Sequence, residues 1–189
     1  MIYISFVSLA IFILCNSRNY QNENITLSRE YVSVPPSVVP SLESTYLGAK
    51  YASFDISRYL ENHWSLVFFG YTKCPTVCPL SLSRLSSFYR SLNFKDKSSV
   101  QIVFISLDSD ESSQEVDDYL KSYQAPIKGF SSQNKDLTSF LKFFSADGPK
   151  IEMHATSVFL VNPNREYIGH FTRVLSVDAM KRWFVNVKK

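Results

Sequence analysis

Two cysteines three residues apart, each followed by proline, offer the most chemistry in this sequence: Gly70-Tyr71-Thr72-Lys73-Cys74-Pro75-Thr76-Val77-Cys78-Pro79. The apolar run before them, Trp64 to Phe69, reads as a buried strand, and Leu80 to Leu92 reads as a helix. If the helix opens at Pro75, Cys74 and Cys78 are i,i+4 neighbours on one face. Both sulfurs then reach one small object, either a metal ion or each other in a disulfide. If the helix opens at Pro79 instead, residues 74–78 form a tight turn that still keeps the sulfurs close. In either case a helix N-terminus favours the thiolate, the form of cysteine that ligates metals and attacks disulfides. The spacing is not the Cys-x-x-Cys of thioredoxin-type redox motifs or zinc half-sites.

The other soft ligands are three histidines, His63, His154 and His170. His154 stands just before a strand, in Glu152-Met153-His154-Ala155-Thr156, at the mouth of a sheet where it can meet a helix N-terminus. His170 alternates within a hairpin strand and reads as a surface or satisfied residue. His63 falls in a turn. By spacing alone a lone histidine is structural more often than a ligand, so the structural reading leads even for His154.

The surrounding elements must bring these residues together. Tyr46 to Leu60, around Gly48, suggests a small hairpin. Leu82, Leu85, Tyr89 and Leu92 form a helical stripe that Cys78 extends backwards, so Cys78 faces the protein body. Gln101 to Leu107 has the near-continuous apolar character of a central parallel strand, which Asp108 ends. Ser112-x-x-Glu115 is a capping box ahead of Val116, Tyr119, Leu120 and Tyr123 at helical spacing. Ile127 to Phe130 reads as a short strand, and Leu137, Phe140, Leu141 and Phe144 as a third helix. Thr156 to Val161 and Glu166 to Thr172 read as a hairpin turning at Asn162-Pro163-Asn164-Arg165. Ser176 caps a last helix, with Val177, Met180, Phe184 and Val187 inward. Alternating strands and helices predict an α/β fold, a central sheet with helices on both faces, made mixed by the closing hairpin. A cysteine motif after the first core strand of such a sheet is the thioredoxin-like arrangement.

Chain length and composition agree with one such domain plus an appendage: 189 residues, 45% apolar, net charge +3. No Lys/Arg-rich run suggests nucleic acid. With three cysteines in all, the chain is not a disulfide-stapled scaffold. Ile2 to Cys15 is almost wholly apolar, too short to span a bilayer and of the length of a signal-peptide core. Residues 1–15 are therefore expected to be a signal or membrane anchor, cleaved, lipidated at Cys15 or retained. Residues 16–44, polar and carrying Pro35, Pro36 and Pro40, read as a linker. Residues 45–189 are expected to form the domain.

Three stretches, FFGYTKCPTVCP, ISLD at Ile105 to Asp108 and HATSVFLVNPNREYIGHF, resemble the Sco/SenC family of copper-handling proteins. The resemblance runs from about Tyr46 to the C-terminus and includes the order of membrane segment, linker and thioredoxin-like domain. The family pattern, Cys-Pro-x-x-Cys-Pro with one downstream histidine, falls on Cys74, Cys78 and His154. It implies one copper ion held by those three residues and help in assembling the dinuclear copper centre of cytochrome c oxidase. The partners implied are the copper-bearing oxidase subunit, other copper carriers or thiol reductants, and a membrane. The location implied is the bacterial periplasm, or the intermembrane-space side of the mitochondrial inner membrane. Two thiolates and an imidazole suit Cu(I), whereas structural zinc normally takes four ligands. The chain departs from the family in having Thr76 where many members carry an acid and Met153 where many carry Asp. Asp108-Ser109 stands where Asp-Pro is usual, with no matching Arg after it.

Three other readings compete. Cys74 attacking and Cys78 resolving would make a thiol–disulfide reductase. A reactive thiolate in this fold also serves peroxidases. The plainest alternative is an inert disulfide.

Overall fold

The computed structural model describes residues 31–45, 53–132, 137–144, 156–173 and 176–188. In chain order its elements are β1 (Tyr31–Val38), β2 (Glu43–Thr45), β3 (Ser53–Asp55), α1 (Ile56–Tyr59), β4 (Trp64–Gly70), α2 (Val77–Ser91) and α3 (Phe94–Lys97). They continue with β5 (Val100–Ser106), α4 (Ser113–Leu120), β6 (Ile127–Phe130), α5 (Thr138–Phe143), β7 (Val158–Val161), β8 (Glu166–Phe171) and α6 (Val177–Val187).

Six strands form one mixed sheet in the order β1-β8-β7-β4-β5-β6. β4, β5 and β6 run parallel, β7 and β8 form the antiparallel hairpin, and β1 closes the edge antiparallel to β8. β4 and β5 lie inside the sheet with both faces covered, which is why their sequences are almost uninterrupted apolar runs. Alternate residues serve opposite faces. Leu66, Phe68, Ile102, Phe104, Val158 and Leu160 pack with residues of α2, α4 and α6. Val67, Phe69, Val103, Ile105, Phe159 and Val161 pack with Ile56 and with Phe140 of α5. On this second face Phe69, Phe144, Phe159 and Tyr167 meet edge to face, the geometry ring quadrupoles favour.

The expected linker needs correction at its C-terminal end. Tyr31–Val38 is the edge strand of the main sheet, and Val39 and Leu42 are buried. The prolines suggested otherwise, but the β1–β8 register breaks between Ser33 and Ser37. Pro35 and Pro36 fall in that irregularity, where no ladder N–H is required. Gly169 opposite has φ +153°, and a Cβ there would meet the Val32 carbonyl oxygen at 2.4 Å, so β1 can approach only a glycine. The small hairpin expected over Tyr46 to Leu60 is displaced: β3 pairs antiparallel with β2, which precedes Tyr46, Ile56–Tyr59 is the helix α1, and residues 46–52 lie outside the described residues. Residues 1–30 also lie outside them, including the apolar segment and Cys15. Among the described residues no helix is long and apolar enough to cross a membrane.

Candidate metal and thiol site

Loops at the C-terminal ends of parallel strands are where α/β sheets gather functional groups, and the cysteine loop leaves the C-terminal end of β4. Helix α2 begins at Val77, between the two starts the sequence allowed. Its N-cap residue, Thr76, makes no side-chain capping bond. Pro79 falls in the first turn, where an N–H would have no partner within the helix, so its ring costs nothing there. The vacant capping role goes to sulfur: the Cys78 amide N–H donates to Cys74 Sγ at 3.4 Å.

That contact divides the two cysteines. Cys74 is partly exposed and Cys78 is fully buried; both are free thiols. Burial alone would raise the Cys74 thiol pKa, but the backbone N–H groups of Cys78, Thr76 and Val77 and the Cys78 side chain outweigh it, and the thiol lies below its ordinary value. For Cys78 burial prevails: against a hydrogen bond from the Tyr71 backbone, its thiol is pushed up to about 12, with the Cys74 sulfur and the Glu111 charge adding to the rise. Cys78 lies in the core cluster with Phe68, Leu82 and Phe104, as the helical stripe predicted. A Cβ on Gly70 would come within 3.1 Å of Cys78 Sγ and 2.9 Å of Phe104 Cε2, so the missing side chain at the end of β4 is what admits the sulfur.

His154, the expected third member, lies outside the described residues together with Met153. Thr156, two residues on, lines the same groove as Thr76 and Val77. The reason is topological: β7 is antiparallel to β4 with Phe68 opposite Val158, so the chain entering β7 arrives at the end from which the cysteine loop departs. Among the described residues no third His, Cys, Asp or Glu joins the two sulfurs in a metal-ligating cluster. His170 is a satisfied residue, as expected, its Nδ1 2.7 Å from the Tyr167 hydroxyl. His63 Nδ1 lies 3.0 Å from the Glu61 carbonyl oxygen in its turn.

One site residue gave no sequence signal. Glu111 is fully buried. Its Oε1 accepts hydrogen bonds from the Thr72 N–H (3.0 Å) and the Thr72 hydroxyl. Its Oε2 accepts from the Ser106 hydroxyl at 2.6 Å, and its carbonyl oxygen accepts from the Ser131 hydroxyl. In the sequence it is merely the last acid of Asp108-Ser109-Asp110-Glu111, beside a capping box, and nothing there marks it as buried.

A thioredoxin-like α/β domain with an N–H-stabilised thiol paired to a buried one is the class of protein that fold and site together define. The SCO1/SenC family model matches residues 55–187, and the chain belongs to that family. A SCO2-like protein of Rickettsia prowazekii is 30% identical over 141 residues, 69% of this chain and 68% of that one. Yeast Sco1 with copper bound superposes with a TM-score of 0.68 at 20% identity, covering 82% of this chain and 96% of that one. BsSco, described as having a disulfide switch and as one of the Sco family of cytochrome c oxidase assembly proteins, gives 0.64 at 18%, over 83% and 95%. The thioredoxin domain of a Bacteroides vulgatus thiol–disulfide oxidoreductase gives 0.58 at 19%, over 82% and 99%.

Proposed function

We propose that this chain is a copper metallochaperone: it binds one copper ion through Cys74, Cys78 and His154 and helps assemble the dinuclear copper centre of cytochrome c oxidase. The observation that carries the reading is the sulfur pair at the start of α2, one open to partners and one rooted in the core, in a chain of the SCO1/SenC family. Copper is the cargo, and the donor set suits it. Two soft thiolates with an imidazole favour Cu(I) and leave a position at which an incoming ligand can begin transfer. Cys78 gives up a proton as the metal binds, so the metal must compensate for its raised pKa. The placing of β7 supports His154 as third ligand, because its first residue, Val158, four positions after 154 in sequence, stands opposite Phe68 near the end of β4 from which the cysteine loop departs. Delivery to an oxidase subunit calls for a domain held at a membrane or exported. That agrees with the apolar residues 1–15 and with a bacterial periplasmic or mitochondrial intermembrane-space setting.

The contrast between the thiols favours a second activity at the same site, reduction of target disulfides. The Cys74 thiolate attacks a target disulfide, giving a mixed disulfide and one target thiolate. Cys78 then loses its proton and attacks Cys74 Sγ, which releases the second target thiolate and leaves a Cys74–Cys78 disulfide for an external thiol to reduce. The two activities are compatible, since a copper-accepting thiol pair must be reduced before loading.

The test is a Cu(I) titration against a competing chelator on the reduced chain and on the chain oxidised to the Cys74–Cys78 disulfide. One tight equivalent is expected in the reduced form and none in the oxidised form. Equal affinity in both would rule out the thiolate site and leave the redox activity as the function.

A further inference from the structure

Among the described residues Glu111 is the one buried acid in the core, and it belongs to neither the sulfur pair nor the expected ligand set. A buried carboxylate is tolerated only when its oxygens are hydrogen-bonded. Here the partners come from separate segments. Thr72 belongs to the loop between β4 and α2, two residues before Cys74, and gives both its N–H and its hydroxyl to Oε1. Ser106 ends β5 and gives its hydroxyl to Oε2. Ser131, just past β6, bonds the Glu111 carbonyl oxygen. The Ser106 hydroxyl is fixed in turn, since its oxygen accepts the Asp108 N–H at 3.1 Å. The carboxylate thus ties the end of the cysteine loop that is farthest from α2 to the end of β5, while the backbone carbonyl of the same residue is held by the chain just past β6.

The other end of that loop is held by the contact between Cys78 N–H and Cys74 Sγ, at 3.4 Å the longer link. Thr76 adds no capping bond. Near Cys74 the loop is also held by the Thr76 and Val77 N–H groups on its sulfur, by a backbone bond from its N–H to the Tyr71 carbonyl at 3.3 Å and by a largely exposed Lys73–Asp108 ion pair at 3.8 Å. Exposed pairs of this kind contribute little. The side-chain bonds from Thr72 and Ser106 converge on Glu111, beside a backbone bond from the Leu107 N–H to the Gly70 carbonyl oxygen at 2.9 Å.

We propose that Glu111 is the positioning residue of the thiol site: by clamping Thr72 to Ser106 it fixes the loop that holds Cys74 Sγ on the N-terminus of α2. The inference rests on the copper reading for its metal readout and on the thiol pair alone for its redox readout.

The test uses the full chain and four variants: Glu111→Gln, Glu111→Ala, Thr72→Val and the double variant Thr72→Val/Glu111→Ala. Each is measured by Cu(I) competition titration, by the reduction potential of the Cys74–Cys78 disulfide and by thermal unfolding. Gln keeps an oxygen for Thr72 and presents an amide to the Ser106 oxygen, so it should restore both site readouts to near parental values. Glu111→Ala should weaken Cu(I) binding about 10–100-fold, the range seen when groups supporting metal ligands are removed, and should shift the potential. Thr72→Val should act in the same direction, and the double variant should be no worse than the worse single one, because both cut one link. If Glu111→Ala does not fold, Thr72→Val and Glu111→Gln carry the comparison.

The proposal is overturned if Glu111→Ala and Thr72→Val unfold at lower temperature yet keep parental potential and affinity, since Glu111 would then be structural only. It is equally overturned if Glu111→Gln loses as much as Glu111→Ala, since charge rather than position would then matter. If the parent binds no Cu(I), the copper reading fails, while the potentials still decide the positioning role.

Discussion

The Cys78 amide donates to the sulfur of Cys74, the residue four positions earlier, across 3.4 Å at the first turn of α2. The helix start so made holds one cysteine as an accessible low-pKa thiol and buries the other. In the proposed copper and redox roles, attack and metal capture would begin at Cys74 and finish at Cys78.

At pH 7 to 8, limiting iodoacetamide should alkylate Cys74 well before Cys78. The difference in rate should be at least on the order of tenfold, because the thiolate is the nucleophile and Cys78 is both buried and raised to about 12. Peptide mapping by mass spectrometry reads the order. Faster labelling of Cys78 would refute the division of roles.

His154→Ala should weaken Cu(I) binding by at least about 10–100-fold, since losing a ligand costs no less than losing its supporting group. The variant should still form the Cys74–Cys78 disulfide, which needs only two sulfurs and access. His170→Ala is the control, because that ring is engaged with Tyr167. Parental copper binding in His154→Ala would remove the imidazole from the site.

Gly70→Ala should destabilise the fold by about 1–3 kcal/mol, the usual cost of overpacking. The added methyl would meet Phe104 Cε2 at 2.9 Å and Cys78 Sγ at 3.1 Å. Urea denaturation measures the loss. An unchanged midpoint would mean that the sulfur pocket has slack.

A chain beginning at Tyr31 should unfold close to the parent's temperature, whereas one beginning at residue 45 should unfold several degrees lower. The shorter chain lacks β1, with its pairing to β8, and the buried side chains of Val39 and Leu42. Calorimetry on both chains checks this. Equal midpoints would return residues 31–44 to the linker.

Burial holds His170 below its ordinary value of 6.5. Between its folded and unfolded pKa values the unfolded chain binds more protons, so the stability from the neutral ring is complete above about pH 6.5 and is lost as pH falls through the folded value. Urea midpoints should therefore drop between pH 7.5 and 5, and His170→Phe should flatten the drop. An equally steep fall in the variant would assign the effect to other groups.

The sequence by itself determined the central strands, the helices and the cysteine motif. Apolar runs of strand length such as Leu66 to Phe69 and Ile102 to Ile105 read as doubly covered strands, and Ser112-x-x-Glu115 marks a helix start through bonds within four residues. Tertiary structure alone decided the rest, because the deciding partners are distant in the chain. β1 is a strand only because β8 presents Gly169 and a register break that accommodates Pro35 and Pro36. α2 starts at Val77 because Cys74 Sγ takes the capping bond that Thr76 leaves open. Glu111 is buried rather than solvated because Thr72 and Ser106, brought together by the parallel pairing of β4 with β5, supply the donors its carboxylate needs. Local periodicity records which face a residue turns to the core; it does not record which side chain from another strand will satisfy a charge there.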